Sequence, residues 1–141
     1  MTGAAEHEAL DSSAGDARAA RDAFDQMPVL MISLSGPRYL ICNANAALRE
    51  YLGRSDLIGL PLETVLPEAA RQQVLELLDR VQATSTAAAG HEWRVPLGPG
   101  VSPAAEVYLD YTVAPWRAAD GTVQGVLASG TDVTARVTRS N

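Results

Sequence analysis

Few side chains in this sequence are spaced so that they could do chemistry together. The one cysteine is Cys42, and the two histidines, His7 and His91, stand far apart in the chain. A single thiol builds no internal disulfide framework and suits a reducing compartment. Two isolated histidines without a cysteine or carboxylate cluster supply no metal-ligand set. Glu106 and Asp110 fall on the same side of an alternating segment, and paired carboxylates can act as general acid and base. On a strand whose other face is apolar, a solvated surface accounts for them more simply. A small α+β isomerase or hydrolase built around Asp110 is the enzymatic alternative. It lacks a nucleophile elbow, a phosphate loop, a metalloprotease helix and a His-paired nucleophile. The expectation is a chain that is not an enzyme.

The elements around these residues are clearest in the last third. Val107, Leu109, Tyr111 and Val113 alternate with Glu106, Asp110 and Thr112, the period of a half-buried strand. Pro115 is expected to end that strand, Asp120-Gly121 to make a tight type I′ turn, and residues 121–128 to return as a second strand. Upstream, residues 1–14 are small and polar and read as a flexible N-terminal tail. A flanking helix over 15–27, capped near Ser13 or Asp16, carries the stripe Ala17, Ala20, Phe24 and Met27 and stops at Pro28. Val29 to Leu34 and Arg38 to Cys42 read as a first hairpin around Ser35-Gly36-Pro37.

Asn43 is the expected N-cap of a short helix with Leu48, Tyr51 and Leu52 on one face, ended by Gly53. Pro67 and Glu68 open the longest helix, whose apolar face is Ala70, Val74, Leu77, Leu78 and Val81. Thr84 to Gly90 reads as a flexible connector, and Glu92 to Val95 as a third strand before the loop Pro96–Pro103. A strand pair, then helices, then three strands indicates an α+β fold with an antiparallel sheet.

Composition bounds the rest. The chain has 141 residues and a net charge of −6, and all 11 of its cations are arginine. That length suffices for one domain burying roughly two thirds of its surface. No basic block exists to hold nucleic acid, and no apolar run approaches the ~20 residues of a spanning helix. An acidic start without a charged-then-apolar pattern is not a secretory signal. The expected setting is cytoplasmic, with no nucleic-acid or membrane partner.

The order of these elements and their punctuation resembles the PAS sensor domain family, over roughly Phe24 to Thr134. The matching pieces are Pro28-Val29-Leu30-Met31-Ile32, Gly36, Asn43-Ala44-Asn45-Ala46 and Tyr51-Leu52-Gly53 followed by Leu57-Ile58-Gly59. Pro115, Asp120-Gly121, Gly125 and Asp132-Val133-Thr134 complete the set. The resemblance implies a five-stranded antiparallel sheet with helices packed on one face and an N-terminal flanking helix. It places the domain at 28–135 and makes 136–141 the start of a linker to an effector outside this sequence.

The function implied is that of a bacterial signal-transduction sensor, binding a small ligand or mediating dimerisation and passing the signal to an effector domain or partner protein. The alternative is a ligand-free interaction module. Homodimerisation is expected through the N-terminal helix and the outer sheet face. Ligands of the family sit between the sheet and the helices. Carried onto this chain, the candidate lining is Cys42, Leu78, Trp93, Leu109, Tyr111, Val113, Ala128 and Gly130, with Val126 also facing inward. Flavin, haem and a covalent chromophore are disfavoured. Cys42 lies outside the family's photoactive cysteine motif, the long helix has no histidine, and Gly130 stands where flavin binders carry an amide. A small apolar ligand remains compatible with the small side chains Ala128 and Gly130.

Overall fold

The computed structural model describes residues 15–98 and 105–140. The expected tail, the Ser13 cap and residues 99–103 of the proline-rich loop lie outside the described residues. Helix α1 covers residues 15–26. Strands β1 (Leu30–Ser35) and β2 (Leu40–Ala44) lead to helix α2 (Ala46–Leu52), a 3-10 turn at Leu62–Thr64 and the long helix α3 (Glu68–Thr84). Strands β3 (Ala88–Val95), β4 (Val107–Arg117) and β5 (Val123–Asp132) follow, then helix α4 (Thr134–Ser140). The five strands form one antiparallel sheet in the order β2-β1-β5-β4-β3.

The apolar periods of strands and helices meet in one core. Leu34 and Ile41 from the first hairpin, Val113 and Val126 from β4 and β5, and Leu77, Leu78 and Val81 from α3 are all buried together. The helices α2 and α3 therefore cover one face of the sheet, as the helix stripes require. Leu57, fully buried, anchors the segment between α2 and the 3-10 turn. Backbone bonds from Ile41 to Leu60 and from Gly59 to Ile41 tie that segment to the edge of β2. At Gly125 strand β5 lies tight against β1, since a Cβ there would lie 1.9 Å from the Leu34 carbonyl oxygen. Only glycine fits.

Several local expectations are corrected. The N-cap of α2 is Asn45, not Asn43, because β2 continues through Ala44. Asn45 is fully buried and all its side-chain capacity is used. Its Oδ1 accepts from the amides of Leu48 and Met31, each at 3.1 Å, and its Nδ2 donates to the carbonyls of Met27 and Val29. One amide side chain thus fastens α2, β1 and the exit from α1. Gly53 closes α2 in the left-handed region as expected.

Pro115 does not end β4, which runs on to Arg117 and pairs Pro115 with Val126. Pairing with β3 stops at Val113, so beyond it β4 is an edge on that side and tolerates a proline. The β4–β5 connection is a wider loop than a two-residue turn. Ala118 N–H bonds to the Thr122 carbonyl and Gly121 N–H to the Ala118 carbonyl. Asp120 Oδ1 accepts from both the amide and hydroxyl of Thr122, so Asp120 stabilises the loop with its side chain.

β3 begins at Ala88, within the expected connector. Ala88, Ala89 and Gly90 pair with Val113, Thr112 and Tyr111, and a bulge at His91 and Glu92 precedes the pairing of Trp93 with Leu109. Small residues followed by a bulge leave no alternating pattern to read. Helix α1 stays largely solvated. Ala17 and Ala20 are exposed and only Phe24 of the stripe is partly covered. Met27 and the outer-face residue Leu127 are 44% and 42% exposed, so the stripe does not bury that part of the sheet within one chain. The helix is held instead at its end, where Asp25 meets Arg49 of α2 at 2.8 Å.

Candidate functional site

Between the sheet and the helices lies a cavity of about 150 Å³. Its floor is the inner face of the sheet, where period-2 alternation brings Leu109, Tyr111 and Val113 of β4 beside Ala128 and Gly130 of β5. Its roof is Leu48, Tyr51 and Leu52 of α2 and Val74, Leu77 and Leu78 of α3, residues at helical spacing on the faces turned inward. The wall is almost wholly apolar, with no charged side chain among its lining residues.

Of the eight residues singled out in the sequence, Leu78, Trp93, Leu109, Tyr111, Val113, Ala128 and Gly130 line this space. Cys42 does not. Its thiol donates to the Ser35 hydroxyl at 3.2 Å, across the first hairpin. The bulge between Ser33 and Leu34 shifts the pairing there, so Ile41 and Ala44 turn to the core instead. Val126 packs in the core. Gly130 adds room, because a Cβ there would meet nothing closer than the Asp110 carbonyl oxygen at 3.5 Å.

Trp93 and Tyr111 form one aromatic unit, with ring centroids 5.1 Å apart and planes tilted by 60°, a favoured arrangement of two π systems. The Tyr111 ring lies directly over Gly90, where an added Cβ would sit 2.5 Å from Cε1. A side chain at position 90 would displace the ring.

Tyr51, not singled out in the sequence as a site residue, joins the cavity to the end of the sheet. Its hydroxyl donates to Asp132 Oδ2 at 2.9 Å. Asp132 Oδ1 accepts from the Thr134 amide at 2.9 Å and from the Thr134 hydroxyl, and Tyr108 N–H donates to that same hydroxyl. The Asp132-Val133-Thr134 segment is thereby a hydrogen-bonded corner that starts α4. Partial burial pushes the Asp132 carboxyl up, but bonds from Thr134 and Tyr51 outweigh it and hold the carboxyl below its ordinary value. Burial, together with the bond to Asp132, pushes the Tyr51 phenol well up. The pair is a neutral phenol on a carboxylate throughout the physiological range.

Asp110 and Glu106 are surface structure. Asp110 accepts from the Glu92 amide at the β3 bulge and from Arg136 on α4 at 3.3 Å, with His91 at 3.6 Å. The amide bond above all, then the Arg136 charge, holds its carboxyl low despite some burial. Glu106 pairs with Arg94. His91 is 86% exposed, and no group of three or more potential metal ligands occurs among the described residues. Among those residues, no helix is long and apolar enough to cross a membrane.

Comparison with known proteins gives the same architecture. The PAS fold family pattern matches residues 24–138. A PAS domain from Colwellia psychrerythraea superposes with a TM-score of 0.66 at 15% identity, over 84% of this chain and 98% of that chain. A sensory box sensor histidine kinase from Vibrio cholerae does so with a TM-score of 0.59 at 18% identity, over 89% and 95%. VqmA of Vibrio cholerae matches with a TM-score of 0.64 at 21% identity, over 82% of this chain but 52% of that chain. At these identities the structural likeness is one of fold.

Proposed function

The chain belongs to the PAS fold family, and on that footing we propose that it is a sensory and regulatory domain of a bacterial signal-transduction protein. The proposed input is a small, predominantly apolar molecule in the cavity between sheet and helices. The proposed output is the position of α4, which carries the signal to an effector domain or partner protein. The domain itself is non-catalytic and cytoplasmic in this reading.

One observation carries it: Tyr51 lines the cavity and also holds Asp132 at the start of α4. A ligand that prefers one setting of Tyr51 would bias the corner and helix in the same step, as a shift between two populations. VqmA, one of the similar folds, has been solved as a complex with ligand and DNA. The present chain has a net charge of −6 and no cluster of cations, which weighs against direct contact with nucleic acid.

Native mass spectrometry of the purified protein, with an absorbance spectrum, tests the reading. A bound small molecule of fixed mass supports it. Failure of both retained and added apolar compounds to bind would refute ligand sensing.

A second reading is favoured by a separate observation. Met27 and Leu127 are large apolar side chains left exposed near α1 and on the outer sheet face. A homodimer through those surfaces would cover them. A ligand-free dimerisation module predicts a dimer by sedimentation that Leu127→Asp dissociates, with no response to apolar compounds.

A further inference from the structure

Beside the apolar cavity is a second hollow of about 260 Å³, lined by Gln73, Glu76, Leu77, Arg80, Trp93 and Tyr111. The side chains of Leu77, Trp93 and Tyr111 border both spaces. On one side the surface is almost wholly apolar. On the other, α3 presents an amide, a carboxylate and a guanidinium one helical turn apart.

The two charged groups are not equally committed. Glu76 Oε1 already accepts from Gln72 at 3.0 Å. The Arg80 guanidinium has no partner among the described residues. An unpaired guanidinium offers a planar fork of donors that matches a carboxylate. The Tyr111 ring on this border lies against Gly90, where only the absence of a side chain lets it sit.

We propose that the site binds a compact apolar molecule bearing one carboxylate, its body in the cavity and its carboxylate in the outer hollow on Arg80. The inference rests on the reading of the cavity as a ligand site and adds the ligand's chemistry. The size limit follows from the cavity volume of about 150 Å³, which is the scale that holds a benzene ring. The division of polarity follows from the walls. A carboxylate inside the cavity would be stripped of water without a partner, whereas beyond Trp93 and Tyr111 it keeps both solvent and a cation.

Calorimetric titration of the chain with benzoate, benzyl alcohol, benzylamine and benzene tests this, since the four share one body and differ in the head. Benzoate is expected to bind about tenfold more tightly than benzyl alcohol, the scale of one charge-assisted hydrogen bond. Benzylamine is expected to bind most weakly. Arg80→Gln should abolish the benzoate advantage and leave benzyl alcohol unchanged. Arg80 is exposed, so the variant's melting temperature should match that of the parent chain. If benzyl alcohol and benzene bind but benzoate binds no better, or if Arg80→Gln leaves the ranking intact, the carboxylate assignment is overturned and the cavity reading stands. If none of the four binds, both are overturned.

Discussion

The Tyr51 hydroxyl donates to Asp132 Oδ2 at 2.9 Å, linking residues 81 positions apart. Tyr51 faces the cavity from α2, and Asp132 caps the corner from which α4 departs. The contact is partly exposed and is one hydrogen bond, so it contributes about 1 kcal/mol. A contact of that size suits a switch better than a strut. Removing it should leave the fold intact and alter communication.

Tyr51→Phe therefore separates binding from transmission. The ring still packs against the cavity while the bond to Asp132 is lost. With benzene as probe, NMR shifts of cavity methyl groups should persist in the variant. Shifts of the Thr134–Val137 amides should shrink toward zero. Equal α4 shifts in both proteins would show that the signal does not pass through this pair.

Asn45→Ala should be among the most destabilising single changes in the domain. It removes four hydrogen bonds and strands the Met31 amide in a part-buried place. Losses of this kind cost about 2–4 kcal/mol. Urea unfolding followed by circular dichroism measures it. A loss below about 1 kcal/mol would mean that water replaces the side chain.

Gly90→Ala should swing the Tyr111 ring off its seat, since the new Cβ would fall within 2.8 Å of two ring carbons and the hydroxyl oxygen. Overpacking of this sort costs about 1–3 kcal/mol. Because Trp93 packs against that ring at a tilt of 60°, its fluorescence should change as well. Unchanged emission and stability together would place the ring elsewhere.

Acid should loosen the α4 corner before it unfolds the core. The Asp132 carboxyl is held below its ordinary value of 3.8 in the folded state. Its contribution is complete above the unfolded value and is lost as pH falls through the lower folded one. Protection of the α4 amides against hydrogen exchange, taken relative to their intrinsic rates at each pH, should thus fall below about pH 4. Asp132→Asn should flatten that dependence. A corner equally protected at pH 3 and pH 6 would contradict the assignment.

The inner face of the sheet was legible because the first half of β4 alternates, and α3 because its apolar stripe from Ala70 to Val81 spans about three turns. Seven of the eight proposed lining residues follow from those two periods and the family register. Cys42 fell elsewhere because one bulge in the first hairpin turns the neighbouring residues over, and a bulge leaves no mark in an alternating pattern. The confusion of Asn43 with Asn45 has a similar origin, since two asparagines two residues apart are equally good caps on paper. Tertiary burial chose between them.

Tyr51 was recognisable as an inward residue from its spacing with Leu48 and Leu52. Its bond to Asp132 depends on segments 81 residues apart being brought together by the fold, and no local pattern carries it. The same holds for Arg80, whose spacing predicts an i, i+4 pair with Glu76 on the wet side of α3. Among the described ion pairs that one does not form, and Glu76 accepts from Gln72 instead. Trp93 and Tyr111 are placed beside Arg80 only by the fold.

A ligand-responsive cavity coupled to α4 is tested most directly by titrating the chain with benzene and following its NMR spectrum. Saturable shifts are predicted at the methyl groups of Leu78, Val113 and Ala128, with matching shifts at the amides from Val133 to Val137. Lining methyl groups that do not move up to the solubility limit, or that move while α4 stays unchanged, would contradict it.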